Sequence, residues 1–214
     1  MRKPKKLSLE SLAPCLVEVS NPPVPWDYQA LFGNNHPMEL EIGFGKGRFL
    51  VHATQQYPER NFLGIEIDRK YHLLTATRLV KRGITNARLC CGDARTILEN
   101  LIPPASLSAI HIFFPDPWWK QRHHKRRLFQ GPFVSALERC LAPGGWVNVA
   151  TDVESYFHEL TQLFLLHAPN LSPHPWAEGA PPVDAEGHLT NYEKKSLEQS
   201  REVFRVRYGQ VGKT

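Results

Sequence analysis

From Glu39 to His167, short apolar runs alternate with segments of helical periodicity. Glu39–Ile42, Phe62–Ile67, Ala87–Cys91, Leu107–Phe114 and Trp146–Ala150 read as strands. Lys46–Gln56, Arg69–Arg82, Ala94–Leu101, Gly131–Leu141 and Glu154–His167 read as helices. In the second helix Leu73, Leu74 and Thr77 share a face, and Pro143-Gly144-Gly145 stops the fourth. Five strands separated by helices predict an α/β fold, a mostly parallel sheet with helices on both faces. Ligands of such sheets bind beyond the carboxyl ends of the strands. The chemistry of this chain is therefore sought in the residues that follow each apolar run.

The chain of 214 residues suits a single domain. Residues 1–35 read as a Pro-rich, basic N-terminal arm, pinned through Trp26, Tyr28 and Phe32. Residues 36–210 form the domain, with a long substrate-side loop at 168–190, and 211–214 are a tail. Within 192–208, Glu193–Gln199 has helix-forming composition, while Phe204, Val206 and Tyr208 alternate with cations as in a strand. The formal charge of +5 is modest, but its distribution is uneven. Cations gather at Arg2–Lys6, at 120–127 and at Arg201, Arg205 and Arg207, and nucleic acid is the natural partner for such clusters. Cys15, Cys90, Cys91 and Cys140 lack metal-site or secreted-scaffold spacing and read as reduced packing residues of a cytoplasmic protein. Cys90 and Cys91 adjoin in a strand and point to opposite faces. No apolar run reaches membrane-spanning length. No membrane partner is expected, and monomer and homodimer both stay open.

The first strand runs into Leu40-Glu41-Ile42-Gly43-Phe44-Gly45-Lys46-Gly47-Arg48. Gly43, Gly45 and Gly47 let the backbone approach a ligand closely. Arg48 stands where a dinucleotide fingerprint wants its third glycine. Three acids follow strands: Glu41, Glu66 in Gly64-Ile65-Glu66-Ile67-Asp68, and Asp93 in Cys91-Gly92-Asp93-Ala94. Glu66 is placed to accept from ribose hydroxyls, Asp93 from an adenine amino group, and Glu41 to meet a cation. Each also has a plain structural role open to it, as helix cap or loop acid. So acidic a crevice serves a pyrophosphate poorly. It suits S-adenosylmethionine, which carries an adenosine, a sulfonium and an ammonium, and no phosphate.

The fourth strand ends in Phe113-Phe114-Pro115-Asp116-Pro117-Trp118-Trp119, followed by Lys120, Arg122, His123, His124, Lys125, Arg126 and Arg127. Two prolines stiffen the turn that carries Asp116. A rigid carboxylate beside flat aromatic surfaces and a cationic strip suits an anionic, ring-bearing substrate. Either tryptophan can stack on a base or pack in the core. Asp152 ends the fifth strand in Ala150-Thr151-Asp152 and faces the same crevice. His123 and His124 adjoin rather than standing a helical turn apart, so no metal is expected. An amino-group methyltransferase would show an acid-Pro-Pro-aromatic turn, whereas the order here is Pro-Asp-Pro-Trp. A nicotinamide oxidoreductase and a noncatalytic RNA-binding module are the remaining rivals.

The glycine loop, the F-P-D-P-W block, the Lys120–Arg127 strip and a late Thr190-Asn191-Tyr192-Glu193 together resemble one family, the bacterial tRNA (guanine-N7)-methyltransferases. The resemblance runs from about Glu39 to Tyr208. It implies a Rossmann-like class I methyltransferase fold, a seven-stranded sheet whose last strand is antiparallel. It implies methylation of guanine N7 in the tRNA variable loop, with S-adenosylmethionine as donor and tRNA as partner. By matched positions, Glu41, Glu66, Asp93 and Asp116 become cofactor-site acids, and Asp116 the catalytic position as well. Lys120, Asp152, Thr190, Asn191, Tyr192 and Glu193 become substrate contacts, and Arg122–Arg127 the RNA-facing strip. The resemblance also makes Tyr192–Gln199 a strand paired with Val203–Tyr208, against its helix-forming composition. Trp119 departs from the family pattern, which often has a smaller residue or histidine there, and His124 stands where asparagine is common.

Overall fold

The computed structural model describes residues 7–20, 23–176 and 190–210, omitting the side chain of Gln121. The basic cluster Arg2–Lys6, most of the 168–190 loop and the 211–214 tail lie outside the described residues. The strands are β1 (Leu16–Val17), β2 (Met38–Ile42), β3 (Asn61–Glu66), β4 (Ala87–Cys91), β5 (Leu107–Phe113), β6 (Leu141–Thr151), β7 (Leu171–His174) and β8 (Phe204–Gln210). The helices are α1 (Leu9–Leu12), α2 (Tyr28–Phe32), α3 (Arg48–Gln56), α4 (Arg69–Lys81), α5 (Ala94–Leu101), α6 (Gly131–Cys140), α7 (Glu154–His167) and α8 (Asn191–Glu198).

One sheet holds all eight strands, in the order β1-β4-β3-β2-β5-β6-β8-β7. Strands β1 to β6 pair in parallel, whereas β8 is antiparallel to both β6 and β7. The predicted strands and helices between Glu39 and His167 all form; the largest shift is in β6, which starts at Leu141 rather than Trp146, so Pro143-Gly144-Gly145, expected to stop the helix, falls inside the strand after α6 has ended at Cys140. Because β2 to β6 are covered on both faces, most residues in them are buried, the start of β6 being the main exception. Leu40, Ile42, Ile110, Ile112 and Val149 pack under α5, α6 and α7 through Ile97, Leu98, Phe133, Leu137, Tyr156 and Leu160. On the other face Phe62, Leu89 and Phe113 meet Leu50, Ala76 and Leu79 of α3 and α4. Cys90 belongs to the first core, as strand alternation requires, and Cys91 is half-buried on the far side.

Three segments differ from expectation. The N-terminal segment adds an eighth strand: Leu16 and Val17 pair with Leu89 and Cys90, while Leu12, Cys15 and Trp26 are buried. Leu171–His174, expected as loop, is the edge strand β7. Tyr192–Gln199, expected as a strand from the family resemblance, instead falls in the helix α8 and its C-cap. Local chemistry explains the last: the Thr190 hydroxyl accepts from the Glu193 N–H at 3.1 Å, the N-cap geometry that starts a helix. Composition read this segment better than resemblance did. Among the described residues no helix is long and apolar enough to cross a membrane.

Candidate active site

Five adjacent parallel strands each bring one acid to the same sheet edge. In sheet order these are Asp93 after β4, Glu66 on β3, Glu41 on β2, Asp116 after β5 and Asp152 after β6. Chain direction across the sheet reverses between β2 and β5, the switch point at which such sheets open a crevice. The topology thus places the glycine loop and the Asp116 turn on opposite sides of that opening.

Gly43, Gly45 and Gly47 all have positive φ, at 76°, 49° and 66°. A Cβ on Gly47 would lie 2.3 Å from Thr75 Cγ2, while nothing crowds Gly43 or Gly45. The loop is tied down from two sides. Glu66 Oε2 accepts from the Gly45 N–H at 2.8 Å, and the Thr75 hydroxyl donates to the Gly45 carbonyl at 3.0 Å. Glu66 Oε1 accepts from the Asp68 N–H at 2.9 Å. Each Glu66 oxygen keeps a lone pair, so the acid that braces the loop can still accept from a ligand. Thr75 was not legible in the sequence, because its role exists only once α4 packs on the loop.

Glu41 is buried beneath the first turn of α3, where it accepts from the Leu50 N–H. Helix α3 starts at Gly47 without a side-chain cap, so Glu41 supplies what its N-cap cannot. Its other oxygen, Oε2, has no partner among the described residues. Burial, and then the nearby Glu66 charge, push its carboxyl up to about 8. A buried acid with an orphaned oxygen calls for a cationic group. Asp93 caps α5, accepting from the Arg95 N–H at 2.9 Å, and pairs with the Arg95 guanidinium at 2.6 Å. That hydrogen-bonded guanidinium holds its carboxyl below the ordinary value. Beside Asp93 lies a cavity of about 400 Å³ between α5 and the segment after β1, walled by Val19, Pro23, Ile97 and Leu101. Ile67, directly after Glu66, is 72% exposed at the same edge. Orphaned acid, glycine loop, Glu66 and cavity together fit a nucleoside ligand with a cationic arm.

Asp116 is exposed on a strained turn. Phe114 and Trp118, on either side of it, have φ of 52° and 46°, uncommon for bulky residues. Asp116 Oδ1 accepts from the Trp118 N–H at 2.9 Å, closing the turn. The Trp118 ring is half-buried, edge-on to His123 at 5.8 Å and covered by the Arg126 guanidinium at 5.1 Å. Lys120, Arg122, Lys125 and Arg126 are exposed, and His123 and His124 half-buried, on and beside a short 3₁₀ helix at Gln121–Arg126.

Arg127 departs from this strip. It is buried, donates to the Pro117 carbonyl at 2.7 Å, pairs with Glu159 of α7 and lies over the Tyr156 ring. The expectation of an RNA-facing Arg127 is corrected: its burial removes it from the RNA-facing surface and makes it a clamp between the Asp116 turn and α7. Sequence gave no signal for this, since all five cations of the strip look alike.

Helix α8 closes the opposite rim. Asp152 accepts from the Ser196 hydroxyl at 2.8 Å and from Arg201 at 3.2 Å. Glu193 is buried and pairs with Arg205 at 2.6 Å. Tyr192 stacks at 6.4 Å on Phe114 yet stays 62% exposed, and Asn191 approaches Arg48 at 3.5 Å. Thr190, Asn191 and Tyr192 therefore form a surface between the glycine loop and the Asp116 turn, while Glu193 and Asp152 fasten the helix beneath.

The "Putative methyltransferase" family model matches residues 35–206. The chain is 39% identical to a tRNA (guanine-N(7)-)-methyltransferase of Rhodopirellula baltica, over 87% of this chain and 70% of that protein. It is 38% identical to the enzyme of that name from Cronobacter sakazakii, over 87% and 78%. The match to the Pasteurella multocida protein is 46% identical but spans 62% of this chain and 52% of that relative. Two solved structures share the fold. They are the antibiotic-resistance methyltransferase Kmr (TM-score 0.58, 15% identity, 92% of this chain and 99% of that one) and the aminoglycoside resistance methyltransferase NpmB1 (0.57, 16%, 83% and 89%). With the acid row, the glycine loop and these matches in hand, the chain belongs to the tRNA (guanine-N(7)-)-methyltransferase family.

Proposed function

We propose that this protein transfers a methyl group from S-adenosylmethionine to N7 of a guanine in the tRNA variable loop, acting in the cytoplasm. The observation that carries the reading is the placement of Asp116. Its carboxylate sits on a strained, clamped turn that follows β5 at the switch point, next to β2 and β3 with Glu41, Glu66 and the glycine loop. The family match supports it.

S-adenosylmethionine supplies an electrophilic methyl sulfonium. Glu41 would hold a cationic part of it, Glu66 the ribose and Asp93 the adenine amino group, with Ile67 against the ring. Gly43 and Gly45 leave room for close backbone approach. Guanine N7 carries a free lone pair, so no general base is required, and the protein's work is positioning in a water-poor crevice. Asp116 accepts from the guanine N1–H and exocyclic amine and favours the positive charge that moves onto the purine. That donor pair distinguishes guanine from adenine. Lys120, Arg122, Lys125 and Arg126 contact phosphates, with His123 and His124 between them. Thr190, Asn191 and Tyr192 form the far rim of the substrate site. Extruding the base costs a few kcal/mol, drawn from these backbone contacts.

Labelled S-adenosylmethionine, unmodified bulk tRNA and the purified protein, followed by nucleoside analysis, test the reading. The expected product is 7-methylguanosine. Methyladenosine would favour an adenine-directed enzyme, and tRNA binding without turnover a noncatalytic module.

A further inference from the structure

Trp119 stands apart from every other tryptophan and phenylalanine among the described residues. It is 71% exposed, whereas each other tryptophan and phenylalanine among the described residues is buried or half-buried. Its neighbour shows the contrast. Trp118 meets His123 at a right angle and carries Arg126 over one face, and it is half-buried. Among the described residues no ring or cation contact holds Trp119. The backbone beneath it is nevertheless fixed, by the Asp116–Trp118 hydrogen bond before it and the 3₁₀ helix after it. An open indole on a fixed backbone is a ready stacking surface, because little ordering remains to be done on binding. Its place is informative too: three residues past Asp116 and directly before Lys120, at the head of the exposed cations Arg122, Lys125 and Arg126.

We propose that Trp119 stacks on the unpaired tRNA base next to the target guanine, holding the strand open while the guanine occupies the crevice. This rests on the function proposed above. Charge complementarity selects the occupant: cations track phosphates, and an aromatic face among them takes a base. The division of labour selects which base. Stacking accepts any base and reads none, which suits a neighbour, whereas the target needs its edge read by Asp116.

The test uses a tRNA transcript with 2-aminopurine beside the methylated guanine. Binding to the wild-type protein should quench its emission. Trp119→Leu, which keeps an apolar side chain without a π face, should abolish the quench and weaken tRNA binding on the order of tenfold. Trp119→Phe should restore most of both, and cofactor affinity should be the same in all three. Equal quenching and equal tRNA affinity in the Leu variant would overturn the stacking role. A quench seen only with 2-aminopurine at the target position would overturn the choice of base. The two readings fail separately: 7-methylguanosine from both proteins with no difference in binding sinks only Trp119, while quenching without any 7-methylguanosine sinks only the activity.

Discussion

Asp116 and Glu41 are both acids at strand ends, and their surroundings give them opposite work. Asp116 is exposed and tied by one oxygen to the Trp118 N–H, so Asp116→Asn preserves shape and removes charge. Single-turnover methyl transfer at saturating cofactor and tRNA should fall by roughly a hundredfold or more, the scale for one preorganised electrostatic group. Binding of tRNA should change far less, because the exposed cations carry it. A near wild-type rate would reduce Asp116 to a turn residue. Glu41 is buried, its carboxyl raised to about 8. The unfolded chain ionises it near the ordinary value, so its contribution is fully present below that value and lost as pH rises toward 8. Ligand-free protein should therefore lose thermal stability across that window, by on the order of a few kcal/mol. Glu41→Gln should flatten the profile, and a cofactor analogue bearing a cation should do the same in the wild type. A flat ligand-free profile would show that Glu41 is ionised in the folded state.

At the scale of elements, the basic strip divides between surface and clamp. Arg122 and Arg126 are exposed, so replacing both with Ala should flatten the log–log salt dependence of tRNA binding by up to about two units. Arg127 joins the Pro117 carbonyl to α7 through Glu159. Arg127→Ala should leave the salt slope unchanged and cost about 1.5–3 kcal/mol of stability, the range for hydrogen bonds to a charged group. Urea unfolding and filter binding on the two variants separate these outcomes, and a slope change in the Arg127 variant would return it to the RNA surface. The same division runs through α8, where Tyr192 faces out and Glu193 is locked inward on Arg205.

Across the whole molecule, one buried polar chain crosses the sheet. Arg207 Nε donates to Asn148 Oδ1 at 3.0 Å, and Asn148 Nδ2 donates to His111 Nδ1 at 3.3 Å. His111 Nε2 donates to Glu39 Oε2 at 3.0 Å, and Arg60 donates to Glu39 Oε1 at 2.6 Å. The direction of donation follows from Arg207, which can only donate and so fixes the Asn148 amide and the imidazole tautomer. This chain links β2, β5, β6 and β8, including the antiparallel strand inserted last. Burial alone would raise the Glu39 carboxyl, but the hydrogen bonds from His111 and Arg60, with the Arg60 charge, outweigh it and hold it below the ordinary value. Its contribution is thus present above that value and lost as pH falls through the lowered one. His111→Ala should cost on the order of 1–3 kcal/mol at neutral pH by leaving Glu39 Oε2 unpartnered. The deficit should shrink in acid; thermal melts that show a constant deficit would place the loss in packing against Phe49 instead.

The sequence by itself determined the parallel sheet and the acids at its edge. Period-2 and period-3.6 patterns are local, and a strand followed by a helix leaves its next residues at the carboxyl edge whatever else happens. Glu41, Glu66, Asp93, Asp116 and Asp152 were legible for that reason. The helix-forming composition of Glu193–Gln199 was legible too and proved right over the strand implied by resemblance, whereas the Thr190 cap came to light only in the structure. Tertiary structure alone decided which of several identical side chains does what. Trp118 and Trp119 adjoin, yet one is enclosed by His123 and Arg126 and the other is open. Arg126 and Arg127 adjoin, yet one is exposed and the other buried under α7. Leu16–Val17 became a strand only because β4 offered an unpaired edge. Burial and pairing depend on contacts between residues distant in the chain, and no local pattern carries that information.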